Sequence, residues 1–394
     1  MNYRRLGITL IIVISTASVK SQNSLDDVLH SIKQNNKTIL SIAQYVVASN
    51  LENRTGLTLK NPSVSTDYMI GRPASGGNQV DLLAVQGFDF PTSYGKKKQL
   101  AAQQEKLLNL EKERTIQDIL LEAKLVVLEL IYLNQQKSIL EKRKRSAADI
   151  LTNYQYKFDL DQISALDLNK AKIQLLNVKT SLRTTESKIT LITHHLTELN
   201  GGIPLSILDE TYPISAAVPE FESINDTIEA HDPDLKWLVQ KNATFRAQID
   251  VRKAMALPSF ELGYHYQSVL GQQFSGVHLG FTIPLWESKN TVKASVANAQ
   301  FGEVKIEEHK LRHHFEIKEL YQDYELLKLT REDYKTALDG INSAELLTKL
   351  LELGEINFIS YSLELHYYYN TLDQYAVLNL AYQKVVAELY KYQL

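Results

Sequence analysis

The stretch SFELGYHYQ, Ser259 to Gln267, restricts what this chain can become more than any other. Phe260, Leu262, Tyr264 and Tyr266 share one side of an extended backbone, and Glu261, Gly263, His265 and Gln267 share the other, so the segment reads as a strand with one apolar and one polar face. Three further segments read the same way. Val64, Thr66, Tyr68 and Ile70 oppose Ser65, Asp67 and Met69; Val277, Leu279, Phe281 and Ile283 oppose His278, Gly280 and Thr282. In the remaining strand Val80, Leu82, Ala84, Phe88 and Phe90 line one face, blurred by Gln86 and by the opposing Leu83 and Val85. Each strand has about 9 to 11 residues, the length that crosses a bilayer when tilted. Most of the other residues read as long helix.

Four strands cannot close a membrane barrel, because the smallest barrels use about eight. An open sheet in lipid leaves edge N–H and C=O groups unpaired, each costing several kcal/mol. Several copies must then share one barrel, and three chains supply twelve strands. In such a barrel Phe260, Leu262, Tyr264, Tyr266, Val277, Leu279 and Phe281 face lipid, and Glu261 and His265 face a wet lumen. A soluble sheet packed on helices also alternates and is the competing reading.

Charge and leader bear on the choice. The net charge of −3 and the interleaving of Lys and Arg with acids exclude a nucleic-acid partner. No cysteine is present, so disulfides, thiolate metal sites and a lipidated N-terminal cysteine are excluded. The start, MNYRRLGITLIIVISTASVKSQ, has a positive segment (Arg4, Arg5), an apolar run from Leu6 to Ala17 and then small residues. Residues 1–21 therefore read as a secretory signal, with cleavage after Ala17 or Ser21. The run is too short to span a bilayer, which needs about 20 apolar residues, and no later run is longer, so an exported protein of this sequence spans a membrane only with strands.

The chain also repeats itself. A helix from about Ser24 to Thr55, two strands, a long helix, a break near Asp159 to Gln162 and a helix to about Leu199 form one series. A loop containing Gly201, Gly202, Pro204, Pro213 and Pro219 leads to HDPDLKWLVQ, where Asp232 and Pro233 read as N-cap and first turn, and the series recurs. NPSVSTDYMIG parallels LPSFELGYHYQ, and GFDFPTSYGKKK parallels GFTIPLWESKN. Pro91 and Pro284 lie 193 positions apart, and the same offset carries Asp161 onto Gly354 in the second break, ELGEIN. The expected organisation is a first repeat over 22–212 and a second over 213–394, interwoven into one unit.

The helices carry seams. Leu168, Leu175, Leu182, Ile189 and Leu196 recur every seven residues, each followed three positions later by Ala171, Val178, Thr185, Ile192 and Leu199, a sustained a/d heptad. The preceding helix, from about Lys96 to Lys157 and roughly 90 Å long at 1.5 Å per residue, carries two seams, through Ala123, Leu130 and Leu140 and through Leu121, Leu128 and Tyr132. Two seams require two neighbours, so the helix belongs to a ring or layer. The closing helix repeats Tyr361, Leu365, Tyr368, Leu372 and Tyr375 in the same manner.

Together, the leader, the twofold helix–strand–strand–helix–helix order, the FTIPLWESKN strand exit and the ELGEINFISYSLELH turn resemble the TolC-type outer membrane efflux proteins of Gram-negative bacteria, over the whole mature chain. The resemblance implies a mainly α, α+β homotrimer, with a twelve-stranded β-barrel in outer membrane lipid and an α-helical barrel across the periplasm. It also implies a periplasmic adaptor and an inner-membrane transporter as partners, and passive conduction of cargo without enzymatic activity. Leu160, Asp161, Gln162, Leu353, Gly354 and Glu355 are then the periplasmic tip and adaptor-docking residues. Relatives usually have Gly at both turns, so Asp161 leaves the first turn's shape open.

Asp159, Asp161, Glu352 and Glu355 sit at or beside the breaks, where a trimer gathers them into acidic rings that favour cations and gate the pore; as single acids they only solvate helix ends. No catalytic motif and no cofactor site stands out: G-x-S-x-G, H-E-x-x-H and the P-loop are absent. His194–His195 and His313–His314 diverge by about 100° as helix neighbours and read as solvated or interface histidines, not metal ligands. Trp286 reads as an interface anchor or a core residue. An exported coiled-coil protein without channel activity is the alternative function, and it leaves the four strands without a purpose.

Overall fold

The computed structural model describes residues 25–73, 76–205, 207–213, 217–339 and 343–394; the leader and its two cleavage positions lie outside the described residues. Helices α1 (Leu25–Asn35) and α2 (Lys37–Asn53) lead into strands β1 (Ser63–Ile70) and β2 (Asn78–Phe88). Then come α3 (Pro91–Asp159) and α4 (Ala165–Leu199). The second series is α5 (Phe221–His231), α6 (Pro233–Met255), β3 (Ser259–Val269), β4 (Gln272–Thr282), α7 (Thr291–Asp339), α8 (Ser343–Glu352) and α9 (Phe358–Leu389). α3 starts on Pro91, whose fixed φ and missing N–H suit the first helical position. Its 69 residues extend about 100 Å.

The four strands form one antiparallel meander, β1-β2-β3-β4, in which the two halves of the chain meet between β2 and β3. Its register aligns the alternation of all four strands. One row runs Val64, Ala84, Tyr264, Val277, and the next rows carry Leu262 opposite Leu279 and Phe260 opposite Phe281. The other face holds Asp67, Asp81, Glu261, His265 and His278, with His265 Nε2 at 2.5 Å from Asp81 Oδ1. Where the sheet meets the helices, Asp89 accepts from Lys97 Nζ at 2.7 Å and lies 3.1 Å from Lys60 Nζ. The Lys97 hydrogen bond, aided by Lys60 and opposed by burial, holds the Asp89 carboxyl below the usual carboxylate range. This clamp therefore contributes fully at neutral pH and is lost as pH falls through that lowered value.

The helices pack as an open layer. α3 contacts α4, α6, α9 and α2, as two seams require. All six buried hydrophobic residues of α4 (Leu168, Ala171, Leu175, Leu182, Leu196 and Leu199) lie on the heptad. Two cores echo each other: Ile131 and Leu196 are buried between α1, α3 and α4, and Tyr324 and Leu389, each 193 positions later, are buried between α5, α7 and α9. Burial pushes the Tyr324 phenol up to about 12, so it is neutral there.

Two expectations need correcting. The first helix is not continuous from Ser24 to Thr55: Asn36 (φ −59°, ψ 126°) breaks it, its side chain accepting from Thr38 N and Ile39 N to start α2. The segment before His231 is not all loop, because α5 occupies Phe221–His231 and ends against Asp232, which starts α6 by accepting from Asp234 N. The two breaks correspond, Asn36 to Asp232. Asn36 is buried and also donates through Nδ2 to Leu199 O at 2.7 Å, beside the buried Asn200, whose Oδ1 accepts from Ser31 Oγ at 2.9 Å. Asn36→Ala removes a cap and leaves a buried carbonyl without its partner, and should cost about 2 kcal/mol, read as a lower unfolding midpoint in denaturant; an unchanged midpoint would mean the break is held by packing alone.

Candidate functional site

The two helical turns are the same structure built twice. At the end of α3, Leu160 N donates to Tyr156 O, Asp161 N to Phe158 O and Gln162 N to Lys157 O. At the end of α8, Leu353 N donates to Lys349 O, Gly354 N to Leu351 O and Glu355 N to Leu350 O, every atom shifted by 193 positions. This is a Schellman ending, with the left-handed residue one place beyond the cap. Asp161 has φ 55° and Gly354 φ 74°, so the first turn keeps the shape of the second without a glycine. Aspartate is among the few residues with a side chain that visit this region routinely. The following helices also start alike, Ser164 accepting from Asp167 N and Asn357 from Ser360 N.

Both turns lie at one end of the molecule over a shared core. Ile150 and Tyr154 of α3, Leu168 of α4, Leu351 of α8 and Phe358, Tyr361 and Leu365 of α9 are buried together, with Ile163 and Ile356 of the two turns packed against them. Tyr154 and Phe358 rings are 5.0 Å apart. Asp159, Asp161, Glu352 and Glu355 are all exposed around this core, and Asp159 accepts from Gln155 Nε2 at 2.9 Å. Leu160 and Leu353, at matching positions, are exposed as well. About 27 Å back along α3, the buried Arg143 grips Asp373 of α9 through both carboxylate oxygens, at 2.9 and 2.8 Å, with its guanidinium 4.0 Å from the centroid of the Tyr369 ring. That bidentate tie, unread in the sequence because its partners are 230 positions apart, joins the shafts of the two series above the turns.

At the other end, Leu262, Tyr264, Val277, Leu279 and Phe281 are exposed on the sheet's apolar face. Phe260 and Tyr266 are half-buried, Phe260 lying between Phe90 at 6.0 Å and Phe281 at 5.6 Å. Trp286, just past β4, is 80% exposed, which removes the core reading. No helix among the described residues is long and apolar enough to cross a membrane.

The outer edges of the layer are unfinished. Among the described residues, β1 and β4 each pair on one side only. On α4, Leu166, Ile173, Leu176 and Leu191 are exposed on the side opposite its buried heptad, and on α7, Val304, Leu311, Phe315, Leu326 and Leu329 are exposed opposite its buried Ala299, Ile317 and Tyr324. Each edge helix thus presents a second apolar face that none of the described residues covers.

One cluster escaped the sequence reading. His313 does not act with its neighbour His314; it stands with His309, one turn earlier on α7, against the buried Asp232. The H-x-x-x-H spacing within HKLRH was the available signal. His195, by contrast, is half-buried and lies 3.2 Å from Glu122.

No protein-family model matches the sequence, and no curated protein matches it. Solved structures do. CusC, described for its folding and transmembrane channel formation, superposes with a TM-score of 0.77 at 12% identity, covering 100% of this chain and 98% of that one. The Campylobacter jejuni outer membrane channel CmeC gives 0.72 at 14% identity, covering 100% and 93%. The Vibrio cholerae outer membrane protein VceC gives 0.71 at 12%, covering 93% and 95%. The chain has the fold of these outer membrane channels. The mainly α, α+β class expected from the sequence is thus the class observed, with one four-stranded sheet in the chain.

Within this fold the left-handed turn residues can be tested separately from their charge. A Cβ added at Gly354 would meet nothing within 4 Å, so the backbone, not space, decides what the position accepts. Gly354→Asp should be tolerated as Asp161 is, whereas Gly354→Val should cost about 1–2 kcal/mol, read as a lower unfolding midpoint. Equal destabilisation by both would mean that bulk matters and φ does not.

Proposed function

We propose that this chain is one protomer of a homotrimeric outer membrane channel in a tripartite efflux or secretion system of a Gram-negative bacterium. The observation that carries the reading is the sheet: bilayer-length strands, one coherent apolar face and two open edges, mounted on a helical layer whose own edges are apolar and uncovered. Three copies make a twelve-stranded barrel, placing β4 of one chain beside β1 of the next and the bare faces of α4 and α7 in contact. The two repeats, 22–212 and 213–394, give each chain two equivalent turns, so a trimer presents six at the periplasmic mouth. The exposed Leu160, Asp161, Gln162, Leu353, Gly354 and Glu355 form the surface that meets a periplasmic adaptor, and through it an inner-membrane pump. The channel conducts passively and takes no cofactor.

In the assembled mouth, Asp159, Asp161, Glu352 and Glu355 form acidic rings that favour cations. Purified protein in planar bilayers should open discrete, cation-preferring conductances. Asp159→Ala with Asp161→Ala should reduce that preference, most at low ionic strength, because salt at 0.1 M screens exposed charges within about 10 Å. Absence of conductance would favour an exported coiled-coil protein without channel activity; conductance with unaltered selectivity would place the selective ring elsewhere.

The strand faces give a second test. Leu262→Arg or Tyr264→Arg near the bilayer midplane should cost about 2–4 kcal/mol and depress assembly in the membrane. His265→Arg, on the opposite face beside Asp81, should assemble normally. Equal sensitivity of the two faces would indicate a sheet buried in protein on both sides.

A further inference from the structure

We propose that Asp232, His309 and His313 form a divalent transition-metal site that clasps the α5–α6 junction to α7. The three side chains come from two places in the fold and point at one spot. His309 and His313, four residues apart, share one side of α7, with rings nearly parallel (20°) and centroids 5.2 Å apart. Asp232 arrives from the break between α5 and α6, and its Oδ2 lies 2.6 Å from His309 Nε2 and 3.3 Å from His313 Nδ1. Its Oδ1 accepts from Asp234 N at 2.8 Å, which fixes the carboxylate in place.

Burial makes this a costly arrangement for a mere helix break. The Asp232 side chain is 3% exposed and His309 9%, so a carboxylate has been taken out of water with two imidazoles as its company. The first half of the chain shows that the architecture does not need it. There the corresponding break is capped by the neutral Asn36, and at the 193-residue offset Ile116 and Leu120 stand where His309 and His313 stand.

Two imidazole nitrogens and one carboxylate oxygen make a borderline donor set suited to zinc and its neighbours, and unsuited to magnesium or calcium, which prefer oxygen alone. Donors bound to zinc at about 2.0–2.1 Å in a tetrahedron stand about 3.3 Å apart. The Asp232–His313 separation of 3.3 Å already matches that spacing, and the Asp232–His309 separation of 2.6 Å would have to widen by about 0.7 Å for both groups to bind one ion. Three protein ligands leave further positions to water or to a neighbouring side chain. Glu229, paired with Lys310 at 3.4 Å, and His314, edge-on to Phe221, border the site. A metal here would lock α7 against the α5–α6 junction, near the middle of the helical layer and far from the turns.

The test uses full-length, untagged protein in detergent, stripped with EDTA, dialysed free of chelator and then titrated with Zn²⁺ against a competing chromogenic chelator. The expected result is one zinc per chain at micromolar affinity or tighter, and a higher melting temperature with zinc than without. Asp232→Asn keeps the cap and His313→Gln sits at a partly exposed position; each should weaken zinc binding at least tenfold and abolish the zinc-dependent rise in melting temperature. If Asp232→Asn does not fold, His313→Gln alone decides. Equal zinc binding by wild type and His313→Gln, or a melting temperature indifferent to zinc in the wild type, would show that the cluster is a hydrogen-bonded group and overturn the site.

Discussion

Unpaired backbone at the two edges of a four-stranded sheet is the constraint on which the rest of this structure turns. β1 and β4 each expose a row of N–H and C=O groups, and the sheet between them presents a continuous apolar face. In water such edges invite aggregation; in lipid they cost several kcal/mol for each unmatched group. Closure with other copies, as proposed above, would relieve both. The helices answer to the same condition, since α4 and α7, the edge members of their layer, each carry an apolar face opposite the one they bury. Sheet edge and helix edge therefore call for the same neighbour.

Duplication explains how one chain builds a near-symmetric shaft. The matching hydrogen bonds at the two turns, the paired caps Ser164 and Asn357, and the corresponding core residues Ile131 and Tyr324 show one design used twice. The departures from symmetry are local and chemical. Asp161 replaces a glycine without altering the turn and adds charge to it, and Asp232 with its histidines replaces an apolar and amide solution at the second break.

Much of this was legible in the sequence because it depends on periodicity. Alternation at Ser259–Gln267 gave the strand and its faces, and the heptad from Leu168 to Leu199 gave the buried side of α4, since each pattern reflects a local backbone geometry repeated many times. The break at Asn36 was hidden because asparagine interrupts a helical pattern only weakly, and what stabilises it, Leu199 O and the neighbourhood of Asn200, lies 163 positions away. α5 was hidden by the prolines ahead of it and by an N-terminus whose cap residue, Glu220, makes no side-chain cap hydrogen bond. The Arg143–Asp373 tie and the Asp232 cluster were out of reach for the same reason: charge partners brought together by tertiary packing leave no periodic trace.

Closure of the barrel by three chains can be measured directly, because the chain has no native cysteine. A cysteine at Thr66 of β1, combined one at a time with cysteines scanned along β4 from Gln272 to Thr282, can form a disulfide only where the two Cβ atoms come within about 4.5 Å. Oxidation in outer membranes should trap intermolecular bonds over one narrow register, giving a ladder on denaturing gels that ends at three chains. Crosslinking at no register, or a ladder that runs on past three, would contradict a closed trimeric barrel.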